Sequence, residues 1–169
     1  MFEDFDFDGL FDDDEAPHPS PSDDVVAAVE QELGYKLPAA YVELARRHNG
    51  GDLRRNAHKT NEQTSWSEDG IGVVTLFSIA LDGDDALCGD LGSKFWMEEW
   101  GYPDIGVYFA DCPSAGHDMV CLDYRACGPD GEPQVVHVDQ EDDYLGGHLK
   151  PSQRMAIKTS QRCTRRHQS

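Results

Sequence analysis

The order of patterns along the chain constrains the fold more than any other feature, because helical patterns come first and strand patterns follow. Residues 23–33 and 38–48 carry apolar residues at helical spacing. Ser22 or Asp23 can cap the first helix, and Gly34 can end it in the left-handed conformation. The run Asn49-Gly50-Gly51 stops the second helix. These segments predict a helical hairpin at the start of the domain.

The later part of the chain predicts an antiparallel meander. Short apolar runs rich in β-branched residues alternate with connections that contain glycine and proline. The predicted strands cover residues 71–79, 105–110, 119–124 and 134–139. A short aromatic helix over residues 95–100 is expected to cover the sheet. Helices followed by strands indicate an α+β fold, in which an N-terminal helical hairpin precedes a mainly antiparallel sheet with helices packed against it.

Charge and composition narrow the classes of partner. The chain has 169 residues, 33 acids and 14 lysines and arginines, for a formal net charge of −19. Such a charge repels phosphate and excludes nucleic-acid binding by charge neutralisation. No run approaches the roughly 20 apolar residues of a membrane helix. The opening MFEDFDFDGL has no basic n-region, and the five cysteines form no CxxC pair, so we expect a cytoplasmic protein with reduced thiols.

The charge also divides the chain. Residues 1–22 alternate acids with phenylalanines and then run into prolines, which predicts a disordered acidic arm. Residues 23–143 form the predicted domain. Residues 144–169 carry six basic residues and no acid, an abrupt change that marks an atypical tail.

No common catalytic motif is present in the sequence. It lacks a GxSxG elbow, a phosphate-binding GxxxxGK[ST] loop, an HExxH pair and a GxGxxG turn. The best constellation for chemistry is a group of carboxylates and imidazoles on the predicted meander: Asp111, His117, Asp118, Asp123, His137 and Asp139. These side chains could converge on a divalent metal, and a metal-dependent hydrolase is one reading. Their spacing matches no ligand motif, so we expect no enzyme, no cofactor and no metal.

Three segments resemble a known family. Residues 29–41, closing on Asn49-Gly50-Gly51, resemble the N-terminal signature of the SUKH superfamily, small proteins related to a fungal regulator of cell-wall synthesis. Residues 116–125 and 131–139 look like a bacterial branch of that group. The resemblance spans about residues 24–143 and implies an α+β fold with a central sheet. It also implies an immunity protein that neutralises a polymorphic toxin, often a nuclease, without catalysis.

The acidic surface fits this implied role, because it can steer association with a basic nuclease. The predicted toxin contacts are carboxylates on turns and strand ends: Asp84, Asp85, Asp111, Asp118, Glu141 and Asp142. The alternative is an intracellular regulatory scaffold that uses the arm over residues 1–22 as its docking peptide.

The tail departs from the family pattern. Members usually end with an amphipathic helix on the sheet, whereas residues 144–169 show no helical stripe. A frameshifted C-terminus would produce this signature and would leave part of the sheet without cover; an evolved basic tail is the other reading.

Overall fold

The computed structural model describes residues 9–12, 14, 16–54, 57–59, 70–140 and 156–159. Three helices and eight strands lie within them. In chain order they are α1 (Asp23–Leu33), α2 (Ala39–Arg47), β1 (Gly51–Asp52), β2 (Ala57–Lys59), β3 (Gly70–Gly72), β4 (Thr75–Leu76), α3 (Ser93–Glu98), β5 (Gly106–Asp111), β6 (Asp118–Asp123), β7 (Gln134–Asp139) and β8 (Ala156–Thr159). The predicted α+β class, with a helical hairpin before an antiparallel sheet, is confirmed.

The ends of α1 lie where the sequence predicts them. The Ser22 hydroxyl accepts a hydrogen bond from the backbone N–H of Val25 at 3.2 Å. This satisfies one of the backbone donors that the first turn of a helix leaves free. Gly34 adopts φ +80°, and its N–H bonds to the carbonyl of Glu30. Both ends depend on contacts within a few residues, which is why the sequence reveals them.

Six strands form one antiparallel sheet in the order β1-β4-β5-β6-β7-β8. Strands β5, β6 and β7 form the predicted meander and pair along most of their length. Every residue of β6 is buried, so this strand lies at the centre of the core. Strands β2 and β3 pair separately as a two-stranded sheet.

The predicted strand over residues 71–79 is wrong in its extent. The run divides into β3 and β4, which belong to different sheets. Val74 lies between them, and its backbone bonds to Leu53 and Asp111. Beyond β4, the N–H of Ile79 bonds to the side chain of Asn49 at 2.8 Å rather than to a strand. Competing partners therefore interrupt an apolar run that looks continuous in sequence.

The helical hairpin is fixed to the sheet by aromatic side chains. Tyr41 of α2 donates its hydroxyl to the carbonyl of Phe77 at 2.6 Å and packs against Phe109 of β5, with ring centroids 5.5 Å apart. The hydroxyl of Tyr124 bonds to the carbonyl of Lys36 in the loop between α1 and α2. None of the helices in the described part of the chain is long and apolar enough to span a membrane.

The segment before α1 lies against the domain at the residues described. Phe11 is only 3% exposed, forms a bridge with Leu53 and stacks on the ring of His48 at 3.8 Å. The prediction of a disordered arm differs from the structure at this residue, because Phe11 contributes to the core. Its neighbours Phe2, Phe5 and Phe7 lie outside the described residues.

Part of the tail adds to the sheet. Strand β8 pairs antiparallel with β7, from Ala156 opposite Asp139 to Thr159 opposite Val136. The rest of residues 144–169 lies outside the described residues. At the described positions, β7 is therefore paired on both sides. The division into an arm, a domain over 23–143 and an altered tail stays a prediction.

Candidate functional site

One end of the large sheet is lined with aspartates. Asp52 of β1 lies opposite Thr75, which in turn lies opposite Asp111 at the end of β5. Asp118 at the start of β6 lies opposite Asp139 at the end of β7. In an antiparallel sheet, the last residue of one strand lies beside the first residue of the next. Four strands therefore each place a carboxylate at this end of the sheet.

A cleft at this end is lined by four aspartates, and we call it the acidic cleft. It has a volume of about 310 Å³. Its acidic residues are Asp12, Asp14, Asp52 and Asp85. Ala16, Pro17, His18, Gly50 and Gly51 complete the lining. The sheet end, the segment before α1 and the loop after β4 therefore all contribute to one concave surface.

Crowding of carboxylates perturbs the acidic cleft. Partial desolvation raises the pKa of Asp85, and the charges of Asp52 and Asp84 raise it further, while His18 acts in the opposite direction. Burial also raises the pKa of Asp111, with added repulsion from Asp85 and Asp52 against hydrogen bonds from Thr75 that lower it. Ionised carboxylates that disfavour one another gain free energy when a cation comes between them. The electrostatics of the cleft therefore favour a cationic group over an anionic one.

A second group of polar side chains is buried beneath the turn between β5 and β6; we call it the buried network. The carboxylate of Asp118 accepts a hydrogen bond from the Ser114 hydroxyl and contacts Nε2 of His137 at 2.7 Å. The Ser114 oxygen in turn accepts the backbone N–H groups of His117 and Asp118 at 3.1 and 2.9 Å. The network thus fixes the conformation of the turn.

The buried network also contains the one group of potential metal ligands found among the described residues. Ligand atoms of Cys112, Asp118 and His137 lie within 4.8 Å of one another. All three residues are buried, and burial followed by the nearby Asp118 charge raises the pKa of the Cys112 thiol. The thiol is therefore protonated at neutral pH and bonds to Asp118, which makes it a poor nucleophile. Hydrogen bonds within the protein account for these contacts, apart from Nδ1 of His137, which has no partner in the described part of the chain.

The structure brings together only some of the predicted site residues. Asp85 and Asp111 interact electrostatically, and Asp84 lies exposed beside Asp85. Asp118 is 3% exposed, and its oxygens are engaged within the buried network, which leaves it out of reach of a partner. Glu141 and Asp142 lie outside the described residues.

The predicted constellation of carboxylates and imidazoles does not form a single centre. Asp118 and His137 meet, but His117 packs edge-on against Trp100, with ring centroids 5.8 Å apart. Asp123 lies at the opposite end of β6, where it pairs with Arg125 at 2.7 Å. A metal-dependent hydrolase would need these side chains to converge on one ion, and His117 and Asp123 do not join Asp118 and His137.

The sequence interpretation missed the residues that complete the acidic cleft. Asp12 and Asp14 belong to the run that was predicted to be a disordered arm, and Asp52 directly follows the Asn49-Gly50-Gly51 corner. The acidic composition of the arm was visible, but its contact with β1 depends on distant pairing.

A second, larger groove lies along the helical hairpin. It has a volume of about 520 Å³ between α2 and the turn after β6. Its lining carries Lys36 and Arg46 together with four acids, which are Glu30, Glu43, Asp130 and Glu132. Charges of both signs give it no preference comparable to that of the acidic cleft.

Comparison with known proteins identifies the family to which this chain belongs. Residues 20–150 match the SMI1 / KNR4 family (SUKH-1), a range that covers the helical hairpin, the meander and the buried network, whereas Asp12 and Asp14 of the acidic cleft lie before it. Neither the curated proteins nor the solved structures include a match to this chain. The chain belongs to the SMI1 / KNR4 family (SUKH-1).

Proposed function

We propose that this chain is a non-catalytic immunity protein that binds and neutralises a basic protein toxin in the cytoplasm, with a nuclease as the expected toxin class. Membership of the SUKH-1 family supports an immunity-like or SMI1-related role. The observation that carries the proposal is the acidic cleft, which gathers Asp12, Asp14, Asp52 and Asp85 on one concave surface and in which desolvation and the charge of Asp52 raise the pKa of Asp85.

The chemistry of nucleases suits this acidic cleft. A nuclease holds phosphates with lysine and arginine side chains, so its cleft presents positive charge. An acidic surface attracts that cleft at long range and then occupies the positions of the phosphates. The net charge of −19 extends the attraction beyond the contact itself.

The proposed contacts follow from exposure. Asp84 and Asp85 are exposed and Asp111 is partly exposed, so their carboxylates are available to a partner. Asp118 supports the turn from within rather than contacting the toxin. Glu141 and Asp142 stay predicted contacts.

Co-expression with the product of the adjacent gene tests the proposal. We expect growth rescue and a copurified 1:1 complex. In the purified pair, raising the salt concentration from low to physiological should slow association several-fold, because screening weakens steering between exposed charges. A toxic product that this folded chain neither binds nor neutralises would refute the proposed function.

A charge-matched pair of variants locates the contact. Asp52→Asn with Asp85→Asn removes two charges from the cleft and should slow association at low salt by about tenfold. Asp130→Asn with Glu132→Gln removes two exposed charges from the turn between β6 and β7, far from the cleft, and should change the rate by less than about twofold. Equal effects would mean that net charge, rather than the cleft, controls association.

The alternative function is a regulatory scaffold that docks through its Phe-rich N-terminal arm. Deletion of residues 1–22 would remove Phe11 from the core and would confuse binding with folding. Deletion of residues 1–8 avoids this problem. Toxin binding through the cleft should survive that deletion, whereas docking through Phe2, Phe5 and Phe7 should not.

A further inference from the structure

A tryptophan lies exposed just beyond the end of α3. Trp100 keeps 37% of its surface exposed, although its ring packs against Trp96 with centroids 5.4 Å apart and against His117. Its carbonyl accepts a hydrogen bond from the side chain of Gln140 at 2.8 Å. A large aromatic side chain that is fixed in place but still exposed is typical of the anchors that dominate binding energy at protein interfaces.

The turn beneath Trp100 is built to hold this position. Ala115 adopts φ +57°, a left-handed conformation that is unfavourable for a residue with a Cβ. A Cβ at Gly116 would lie 2.7 Å from the Trp96 ring and 3.0 Å from the Trp100 ring. The buried network holds the turn through Ser114 and so overcomes the strain. Strained backbone that its surroundings fix firmly is common at binding sites.

Trp100 and the acidic cleft lie at the same end of the sheet. Gln140 directly follows β7, its N–H bonds to the carbonyl of His117, and its side chain reaches Trp100. From β7 to β1 the sheet spans five strands, or about 20 Å at 4.8 Å per strand. A protein interface of ordinary size covers about 800 Å² per partner and is about 30 Å across. A single interface can therefore cover both features.

The charges beside Trp100 indicate what covers it. Glu98 and Glu99 are exposed next to it in sequence, and the ammonium of Lys94 is already paired with Glu32 at 3.2 Å. These negative charges repel a second copy of this acidic chain and attract a cationic surface. The face of an indole ring also attracts arginine and lysine side chains.

We propose that Trp100 is the anchor of the toxin-binding face, where it receives an arginine or lysine side chain from the same basic partner whose charges meet the acidic cleft. This inference rests on the proposed function. It assigns two separate tasks to one end of the sheet: the cleft speeds association, and Trp100 slows dissociation.

Association and dissociation rates of the copurified pair test this division of tasks. The probe is the product of the adjacent gene, bound to the full-length chain at two salt concentrations. Trp100→Ala should speed dissociation at least about 30-fold and change association by less than about threefold, as expected for loss of an anchor. Trp100→Phe, which keeps an aromatic ring in the packed site, should lie in between. Val135→Ala is the matched control, since Val135 is also 37% exposed but lies near the opposite end of the sheet.

Each outcome decides between the two proposals. If the wild-type chain binds but Trp100→Ala dissociates no faster than Val135→Ala, the anchor is refuted and the immunity function stands. If the wild-type chain does not bind, both fail. A loss of binding by Trp100→Ala counts only when its thermal unfolding midpoint matches that of the wild type. If Trp100→Ala is unfolded, the test rests on Trp100→Phe. A Trp100→Phe protein that dissociates at the wild-type rate refutes the anchor.

Discussion

Asn49 connects three separate segments through its side chain, and its removal provides a stringent test of the fold. The residue is 2% exposed. Its amide nitrogen donates to the carbonyl of Pro19 at 2.8 Å and to the carbonyl of Ile79 at 3.1 Å. Its amide oxygen accepts the N–H of Ile79 at 2.8 Å. The segment before α1, the end of α2 and the loop after β4 therefore meet at one carboxamide.

Asn49→Ala removes all three hydrogen bonds and leaves their partners in place. Ile79 is fully buried, so its N–H group would lose its partner without gaining water. A buried donor without a partner costs about 1–3 kcal/mol, and a lost hydrogen bond to a carbonyl costs about 1 kcal/mol. We expect the free energy of unfolding to fall by about 3 kcal/mol, which is about 6–12 °C in the unfolding midpoint for a chain of this size.

Urea unfolding followed by circular dichroism measures the loss. Gln134→Ala, which removes an exposed amide, is the control and should change the free energy by less than about 0.5 kcal/mol. A loss of under about 1 kcal/mol for Asn49→Ala would refute the reasoning, because water or a rearranged loop would then be replacing the carboxamide.

Asn49→Asp adds a dependence on pH. The aspartate keeps an acceptor for the N–H of Ile79 but places its second oxygen against the carbonyls of Pro19 and Ile79. Burial and these carbonyls should raise the pKa of the new carboxyl in the folded state. A group with a raised pKa contributes stability at low pH that is lost as the pH rises through its folded pKa. The variant should therefore lie closer to the wild type at pH 4 than at pH 7.

Three further perturbations test other parts of the structure by the same urea assay. Gly50→Ala should cost at least about 2 kcal/mol more than Gly34→Ala, since both glycines have positive φ but only a Cβ at Gly50 would lie 2.7 Å from the backbone nitrogen of Ser78; equal losses would contradict the close approach. Asp118→Asn should cost about 2 kcal/mol, because a buried carboxylate that accepts several donors becomes an amide with a single acceptor; an unchanged midpoint would dismiss the buried network as a support. Asp85→Asn should stabilise the protein by a few tenths of a kcal/mol at pH 7, where the raised pKa of the carboxyl disfavours its charged form, and the gain should disappear below the pKa of an unfolded aspartate, near pH 4; a loss at pH 7 would mean that the carboxylate is stabilising.

The helix ends could be predicted because their causes are local. Ser22 bonds to an N–H three residues away, and Gly34 bonds to a carbonyl four residues back. The division of residues 71–79 could not be predicted in this way. It depends on Asn49, which lies 30 residues before Ile79, and on Asp111 in the later strand β5, and the pairing of both is set only when the sheet assembles.

The acidic character of the candidate site could be predicted from the sequence, but the residues that form it could not. The acidic charge indicated a basic partner, and Asp85 and Asp111 proved to interact. Composition could not separate exposed carboxylates from Asp118, whose burial is set by the register of β6 with β7. Trp100 was assigned a covering role over the sheet, because a sequence gives no measure of how much of a ring the fold leaves exposed.

The way in which the chain closes one edge of its sheet has a consequence for aggregation. The outer strand β1 has only two residues, and the N–H of Asp12 bonds to the carbonyl of Asp52 within it. Phe11 extends this pairing beyond the strand through its bridge to Leu53. An uncovered edge offers unpaired backbone groups to strands of other molecules, and edge pairing of this kind leads to fibres. A protein cut by a protease before residue 17 would lose this cover, so we expect N-terminal trimming to promote self-association along β1.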